Sequence, residues 1–158
     1  MNDLDALEII KRGMSTEIWG QRFYEQAVAR TVAEDGKRVF ESLIQEEERH
    51  LEILCGQYAS LSAGQTWLSL AEARAMADAA DPTTIFPEAT AAEQLIPADA
   101  TDEQALQLAM AFERRGHDFY REQAGATSDA RAKEMWDYLA RAEDQHYTFL
   151  QKTHEFLS

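Results

Sequence analysis

The sequence predicts an all-α protein in one domain, residues 1–158, built around a bundle of four long helices. Apolar residues recur every three or four positions over two long segments, residues 4–60 and 101–157. No segment alternates apolar and polar residues as a half-buried strand would. Each segment is interrupted once by turn-forming residues, which predicts two helical hairpins. A long proline-containing stretch, residues 61–100, lies between them.

Local signals place the ends of the four helices. The first hairpin starts near Leu4 and breaks near residues 33–36, where Ala-Glu-Asp-Gly interrupts the apolar pattern. The second hairpin breaks near residues 125–128, Gly-Ala-Thr-Ser. The third helix is expected to open at Thr101, because Thr101 and Gln104 have the spacing of a capping box. Each half is therefore expected to be two helices joined by a short turn.

The middle stretch is interpreted as a crossover between helices 2 and 3. All three prolines lie between Pro82 and Pro97, and a weak helical pattern is confined to residues 70–80, LAEARAMADAA. A connection this long is uncommon within one domain unless it has a task. Joining two parallel helices is such a task, because the return path must match the helix length, about 1.5 Å per helical residue.

The two halves are also similar to each other. When the sequence is shifted by 96 positions, identities accumulate without a gap over residues 14–54. The matched pairs are Met14/Met110, Glu17/Glu113, Gly20/Gly116, Phe23/Phe119, Tyr24/Tyr120, Thr31/Thr127, Lys37/Lys133, Leu43/Leu139, Glu47/Glu143, His50/His146 and Leu54/Leu150. The repeat predicts a duplicated helix pair with pseudo-twofold symmetry.

The composition and sequence of the chain argue against nucleic-acid binding, a membrane span, a signal peptide and cysteine-based sites. A net charge of −14 argues against nucleic acid, because neutralising phosphates requires clustered Lys and Arg. No window approaches the ~18 apolar residues of a membrane span. Residues 1–14 lack the basic start and apolar run of a signal peptide, so a cytoplasmic protein is expected. The one cysteine, Cys55, excludes an intramolecular disulfide and a four-thiolate metal site, and is expected to be buried.

Glutamates and histidines occur within the apolar stripes of all four predicted helices. In helix 2, apolar residues such as Phe40 and Leu43 are spaced three or four positions apart. A Glu-x-x-His sequence continues the same spacing. Helix 4 repeats that sequence at the same offset. The inward stripes of helices 1 and 3 are Ile10, Met14, Glu17, Gln21, Tyr24 and Val28, and Leu106, Met110, Glu113, His117, Tyr120 and Ala124. The four helices therefore direct six candidate ligands at one interior: Glu17, Glu47, His50, Glu113, Glu143 and His146.

Four carboxylates in one core require neutralisation. An unpaired buried carboxylate costs several kcal/mol, so it is protonated, paired or bound to a metal. The stripes contain no Lys or Arg, and Arg49 lies about 100° around the helix from His50. Two divalent cations would balance the four carboxylates. Oxygen and nitrogen donors without sulfur favour iron or manganese, with zinc as a substitute.

Coincidence is the competing interpretation. One Glu-x-x-His could arise by chance in a chain with four histidines. Both instances in this chain, however, lie on apolar stripes at the same repeat offset, and each has a partner glutamate. The pattern as a whole therefore predicts a metal site.

These motifs make the chain similar to the rubrerythrin-like branch of the ferritin-like di-iron carboxylate superfamily. The resemblance rests on EIWGQRFY with EEERH in the first half and ERRGHDFY with AEDQH in the second. It covers most of the chain and includes the long crossover. It implies a ferritin-like four-helix bundle of two duplicated helical hairpins, with the crossover between helices 2 and 3, holding two iron ions.

The resemblance also implies a role for each residue. Glu47 and Glu143 would bridge the two metals. Tyr24 and Tyr120 would support catalysis by donating hydrogen bonds to ligating carboxylates, although a plain core tyrosine fits each position equally well. The remaining ligands would divide between the two sides as Glu17 with His50 and Glu113 with His146, and the metal that each terminal glutamate serves is left open.

The activity implied is that of a non-haem di-iron oxidoreductase that reduces hydrogen peroxide or dioxygen. Full-length rubrerythrins carry a rubredoxin-like segment with paired Cys-x-x-Cys, which a chain with one cysteine lacks. A separate electron donor is therefore expected, and a homodimer is expected because long bundles often bury an outer face against a second copy. Two alternatives remain open: a ferroxidase or iron-handling protein with Fe(II) as substrate, and a structural bundle stabilised by its metal.

Some neighbouring positions have open roles. His117 lies one turn after the third-helix glutamate and is a candidate additional ligand or hydrogen-bonding group. His154 is expected to be exposed. Rubrerythrins tend to carry a further third-helix glutamate where this chain has Gly116. Gly20 and Gly116 each cost about 1 kcal/mol relative to Ala in mid-helix, and are expected where helices or substrate approach the site closely.

Overall fold

The computed structural model describes residues 3–86 and 94–157, and all regular secondary structure within them is helical. The four long helices are α1 (Asp3–Arg30), α2 (Glu34–Ser62), α5 (Asp102–Ala126) and α6 (Ala130–Leu157). Between α2 and α5 lie α3 (Leu70–Ala75), a 3₁₀ turn (Ala77–Ala79) and the short α4 (Pro82–Ile85). The prediction of an all-α bundle is confirmed. None of the helices described is both long and apolar enough to cross a membrane.

The turn between α1 and α2 is held by a residue from the other half of the chain. The carboxylate of Asp102, in the first turn of α5, accepts backbone hydrogen bonds from Val32 at 3.1 Å and from Ala33 at 3.0 Å. These are amide groups that the interrupted helix leaves without helical partners. The predicted break at residues 33–36 thus corresponds to a gap at residues 31–33, fixed by Asp102.

Side-chain caps start α5 and α6. Thr101 accepts a bond from the backbone of Gln104, whose side chain accepts one from Thr101, so the predicted capping box is confirmed. Asp129 accepts bonds from the backbone of Arg131 at 2.9 Å and of Ala132 at 3.0 Å. Because both caps bind free amide groups, each helix begins at a defined residue.

The long helices pack in pairs, α1 along α2 and α5 along α6, and the pairs meet through α1 with α5 and α2 with α6. Two apolar layers result. One joins the first parts of α1 and α6 to the last parts of α2 and α5, and includes Ile10, Met14, Leu54, Tyr120, Met135 and Trp136. The other joins the opposite ends and includes Phe23, Tyr24, Phe40, Leu43, Leu106 and Leu150. Partners in each pair are therefore antiparallel, whereas α2 and α5 run in the same direction.

The connection between α2 and α5 is fastened at both ends. Near its start, the Gln57 amide exchanges two 2.8 Å hydrogen bonds with the backbone of Leu68. Near its end, the Arg30 guanidinium donates to the carbonyl oxygens of Pro97, Ala98 and Ala100. The single weak helix predicted over residues 70–80 is found as α3 followed by the 3₁₀ turn. The predicted stretch between Pro82 and Pro97 includes residues 87–93, which lie outside the described residues.

The contact between α2 and α3 predicts an unequal effect of two glycine substitutions. A Cβ at Gly56 would lie 1.8 Å from the backbone oxygen of Ala73, whereas one at Gly125 has no neighbour within 4 Å. We expect Gly56→Ala to lower the free energy of unfolding by about 1–3 kcal/mol, because backbone must move to admit the methyl group. We expect Gly125→Ala to raise it by about 0.5–1 kcal/mol through helix propensity. Urea unfolding followed by circular dichroism measures both, and a Gly56→Ala variant as stable as the parent would contradict the packing described.

Candidate metal centre

The six predicted ligands lie together midway along the bundle, between the two apolar layers. The side chains of five of them are fully buried, and His146 is 7% exposed. Each is placed by a long helix: Glu17 by α1, Glu47 and His50 by α2, Glu113 by α5, and Glu143 and His146 by α6. The Glu-x-x-His spacing places both groups of one helix on the same face, one turn apart.

The ligand atoms form two overlapping groups that can each hold a metal ion. One group is Glu17, Glu47, His50 and Glu143, and the other is Glu47, Glu113, Glu143 and His146; in each, the atoms lie within 4.8 Å of one another. Glu47 and Glu143 belong to both groups. The remaining residues divide as Glu17 with His50 and Glu113 with His146.

The spacing inside each group is too wide for hydrogen bonds. His50 Nδ1 lies 3.6 Å from a Glu17 oxygen and 3.8 Å from a Glu143 oxygen. His146 Nδ1 lies 3.5 Å from a Glu113 oxygen and 3.8 Å from a Glu47 oxygen. Metal–ligand bonds of about 2.0–2.2 Å hold two ligands of one ion roughly 3–3.5 Å apart, so an ion would draw these groups together by a few tenths of an ångström.

The unsatisfied atoms of the described residues are concentrated at this site. Both oxygens of Glu47 and of Glu143 are buried without a hydrogen-bond partner, and Nδ1 of each histidine is equally unpartnered. Glu17 and Glu113 each leave only Oε2 unpartnered. Native proteins leave very few buried polar atoms unpaired, so such a cluster is typical of residues that bind an ion. The residues present therefore fit a pair of divalent cations.

Two tyrosines account for the satisfied oxygens. The Tyr24 hydroxyl donates to Glu113 Oε1, and the Tyr120 hydroxyl donates to Glu17 Oε1 at 2.6 Å. Each tyrosine thus holds the glutamate of the other half of the chain. Burial, followed by the nearby carboxylates, raises the pKa of both phenols well above the ordinary value, so they remain donors.

The metal-free site holds protons on specific groups. Burial raises the pKa of Glu143 well above its ordinary value, and the charges of Glu113 and Glu17 raise it further. Burial works to lower the pKa of His50, but the Glu17 carboxylate outweighs it and the pKa is raised. Burial works to raise the pKa of Glu113, but interactions with Glu143 and His146 outweigh it and the pKa is lowered. Without metal, Glu143 therefore holds its proton more strongly than Glu113 does.

The two mid-helix glycines lie against the shared glutamates, as expected of a close approach to the site. A Cβ at Gly20 would lie 3.1 Å from Glu47 Oε2 and equally near the Phe112 ring. A Cβ at Gly116 would lie 3.3 Å from Glu143 Oε2. Hydrogen at these positions leaves room for each carboxylate to lie flat against the neighbouring helix.

Several predicted inward positions are only partly buried. His117 is outside both ligand groups and lies 3.3 Å from the Asp118 carboxylate, so the structure does not bring it to the site. His154 is also not fully exposed, since it lies 3.2 Å from a Glu103 oxygen. Three other members of the predicted stripes are likewise half-buried: Gln21, Val28 and Met110. The buried Tyr24 and Tyr120 follow the half-buried Gln21 and His117 on the same stripes, so the partial exposure reflects which positions the neighbouring helices cover.

Cys55 lies apart from the metal-binding groups. Its side chain is buried, and burial raises the pKa of the thiol to about 12. It is therefore protonated at neutral pH and behaves as a small apolar residue, as expected from the sequence.

Metal binding is expected to release protons and to weaken as pH falls. Glu143 and His50 have raised pKa values, so both must lose protons to become ligands. Affinity should therefore rise with pH until both groups are deprotonated. Titration calorimetry with Zn²⁺ in buffers of different ionisation enthalpy counts the released protons.

Two variants control this measurement. Glu143→Gln should weaken Zn²⁺ binding and release fewer protons, whereas Glu134→Gln, at an exposed position of the same helix, should match the parent chain. A binding enthalpy independent of the buffer, with an affinity constant across pH, would show that the titrating groups are not the ligands.

Comparison with known proteins gives a fold match and no functional match. No family model matches the chain, and no curated protein matches it. Among solved structures, the chain is similar to a hypothetical protein from Pyrococcus furiosus, with a TM-score of 0.65 over 96% of this chain and 89% of that one. The two sequences are 18% identical, so the likeness concerns the fold alone.

Proposed function

We propose that the chain is a rubrerythrin-like member of the ferritin-like di-iron proteins, and that it is a non-haem di-iron oxidoreductase that reduces hydrogen peroxide or dioxygen. The pattern of unsatisfied oxygens carries this proposal. Both oxygens are free on the two glutamates shared by the ligand groups, whereas one oxygen is free on each unshared glutamate. A bridging carboxylate uses both oxygens, and a terminal carboxylate can use one. The repeat between the two halves supports the duplicated ferritin-like topology within the same proposal.

The ligand roles follow from this pattern. Glu47 and Glu143 would bridge two ions, and each unshared glutamate would bind one ion together with the histidine of its group. Oxygen and imidazole donors favour iron, while manganese and zinc are able to occupy the same set. Bound iron would supply two electrons to the O–O bond of the oxidant.

The protein's own residues fix and shield the site. The hydrogen bond from Tyr120 pins Oε1 of Glu17, the oxygen that also lies 3.6 Å from His50 Nδ1. The bond from Tyr24 pins Oε1 of Glu113 and leaves Oε2 beside His146. The His50 and His146 rings stack with centroids 5.7 Å apart, which fixes their orientation. The apolar layers on both sides keep bulk water away, which strengthens electrostatic interactions inside.

The proposal includes two partners. A chain with one buried cysteine has no thiolate set for a rubredoxin-type iron, so electrons would come from a separate donor protein. A second copy of the chain would complete a homodimer. The donor follows from the proposed family resemblance, and the dimer from the tendency of long bundles to bury an outer face against a second copy.

Rapid mixing of iron-loaded protein with oxidants tests the function. Metal-free protein is loaded anaerobically with two Fe²⁺ per chain and mixed separately with hydrogen peroxide and with oxygenated buffer, while ferric absorption is followed. We expect faster oxidation by peroxide. Faster oxidation by dioxygen, with turnover of added Fe²⁺, would instead indicate a ferroxidase. Failure of both oxidants to oxidise the iron would leave a metal-stabilised bundle.

Matched variants assign the effect to the site. Glu47→Gln should abolish binding of the iron pair, whereas Glu48→Gln, on the exposed face of α2, should behave as the parent chain. Tyr120→Phe should reduce metal affinity or oxidation rate by about 10–100-fold, because a ligating carboxylate loses its hydrogen bond. Tyr58→Phe, in the apolar layer, is its control.

A further inference from the structure

A cavity of about 520 Å³ opens between α1 and α5, and nothing in the proposed peroxide or dioxygen chemistry uses it. Its walls are largely aromatic and aliphatic. They include Trp19, Phe23, Leu108, Phe112 and Phe119. A cavity of this size falls within the roughly 300–1,000 Å³ range of sites for organic ligands. Hydrogen peroxide would leave it almost empty, since one water occupies about 30 Å³.

The cavity adjoins the candidate metal centre. Gly116 lies in its wall, and a Cβ on this residue would be 3.3 Å from Glu143 Oε2. Phe112 also lines the cavity. A Cβ placed on Gly20 would contact both the Phe112 ring and Glu47. The wall between the cavity and the two shared glutamates is therefore one residue thick.

Two of the aromatic rings that line the cavity pack against each other. The rings of Phe23 and Phe112 stack across the gap between α1 and α5, with centroids 6.3 Å apart and planes 4° apart. Leu108, also a lining residue, remains 39% exposed, so apolar surface of the cavity is open to an incoming molecule. The cavity thus offers an apolar body a partly preformed place to bind.

Two polar side chains on the walls lack partners among the described residues. The Arg115 guanidinium makes no ion pair or hydrogen bond there, and the Ser15 hydroxyl makes no hydrogen bond there. Arg115 is exposed, and it is the one cation among the residues that line the cavity. It favours an anion, and its planar fork matches a carboxylate. A single guanidinium balances one negative charge, which favours a carboxylate over a doubly charged phosphate ester.

We propose that this cavity binds a monocarboxylic acid with an apolar body, its carboxylate at Arg115 and Ser15 and its body against the aromatic wall beside Gly116. The ligand class goes beyond the proposed oxidant chemistry. Binding needs no metal, so the proposal stands or falls independently of the di-iron assignment.

Calorimetric titration with octanoate tests the proposal, using the chain both free of metal and loaded with Zn²⁺. We expect saturable binding of one octanoate per chain in both forms. Octan-1-ol and octylammonium, which share the apolar body, should bind at least about tenfold more weakly, as the loss of one charge-assisted pair predicts. Equal binding of all three probes, or no saturable binding at millimolar octanoate, would overturn the proposal.

Variants locate the site. Arg115→Gln should weaken octanoate about tenfold and leave octan-1-ol unchanged, whereas Arg121→Gln, at an exposed position of the same helix outside the cavity, should leave both unchanged. Leu108→Trp should block the cavity and abolish binding of every probe while helix content stays constant. Octanoate binding unaffected by Arg115→Gln and Leu108→Trp would place the ligand elsewhere.

Sedimentation velocity separates the competing occupant of this face. A second copy of the chain could instead cover α1 and α5. In that case octanoate would fail to bind the parent chain, and Leu108→Trp would change the oligomeric state. That pair of results would overturn the carboxylate proposal in favour of a self-association surface. If the parent chain bound octanoate but did not bind Zn²⁺, only the metal assignment would be overturned.

Discussion

Four glutamates buried in one core constrain everything else in this structure. Each would cost several kcal/mol if left charged and unpaired, and together they repel. The described residues offer no Lys or Arg among the groups that surround them, and two tyrosines satisfy only one oxygen on each of two glutamates. Among the remaining oxygens, one of Glu143 lies 3.8 Å from His50 Nδ1, and those of Glu113 and Glu47 lie 3.5 Å and 3.8 Å from His146 Nδ1. Two divalent cations would relieve the repulsion among these carboxylates.

The two apolar layers stabilise the helices that carry this site and so offset the cost of burying its charges. They lie at both ends of the cluster and recruit opposite ends of the same four helices, so no helix can slide without removing a ligand from the centre. Asp102 and Arg30 tie the two helix pairs and the connection together away from the site. The same contacts recur in both halves: tyrosine to the opposite glutamate, glycine to the neighbouring shared glutamate. This equivalence is what a duplicated helix pair would produce.

Much of this arrangement could be predicted from the sequence. Long helices, their breaks, the capping box at Thr101 and the convergence of six ligands all follow from patterns within one helix, repeated in the next. Contacts between residues of different helices could not be predicted from these patterns. The fixing of the first turn by Asp102 and the cavity beside Gly116 depend on which residues meet across helices, which periodicity does not encode. His117 was expected on the inward stripe, but it is half-buried and contacts Asp118, because the packing of neighbouring helices decides which positions of the stripe are covered.

Anomalous diffraction from crystals of the iron-loaded chain, measured at the iron absorption edge, tests the central claim most directly. The claim predicts two anomalous peaks per chain, both between Glu47 and Glu143, one beside Nδ1 of His50 and the other beside Nδ1 of His146. Glu143→Gln crystals provide the matched comparison and should lose at least one peak. A single peak, or iron bound only outside the bundle, would contradict the claim that these six residues hold a metal pair.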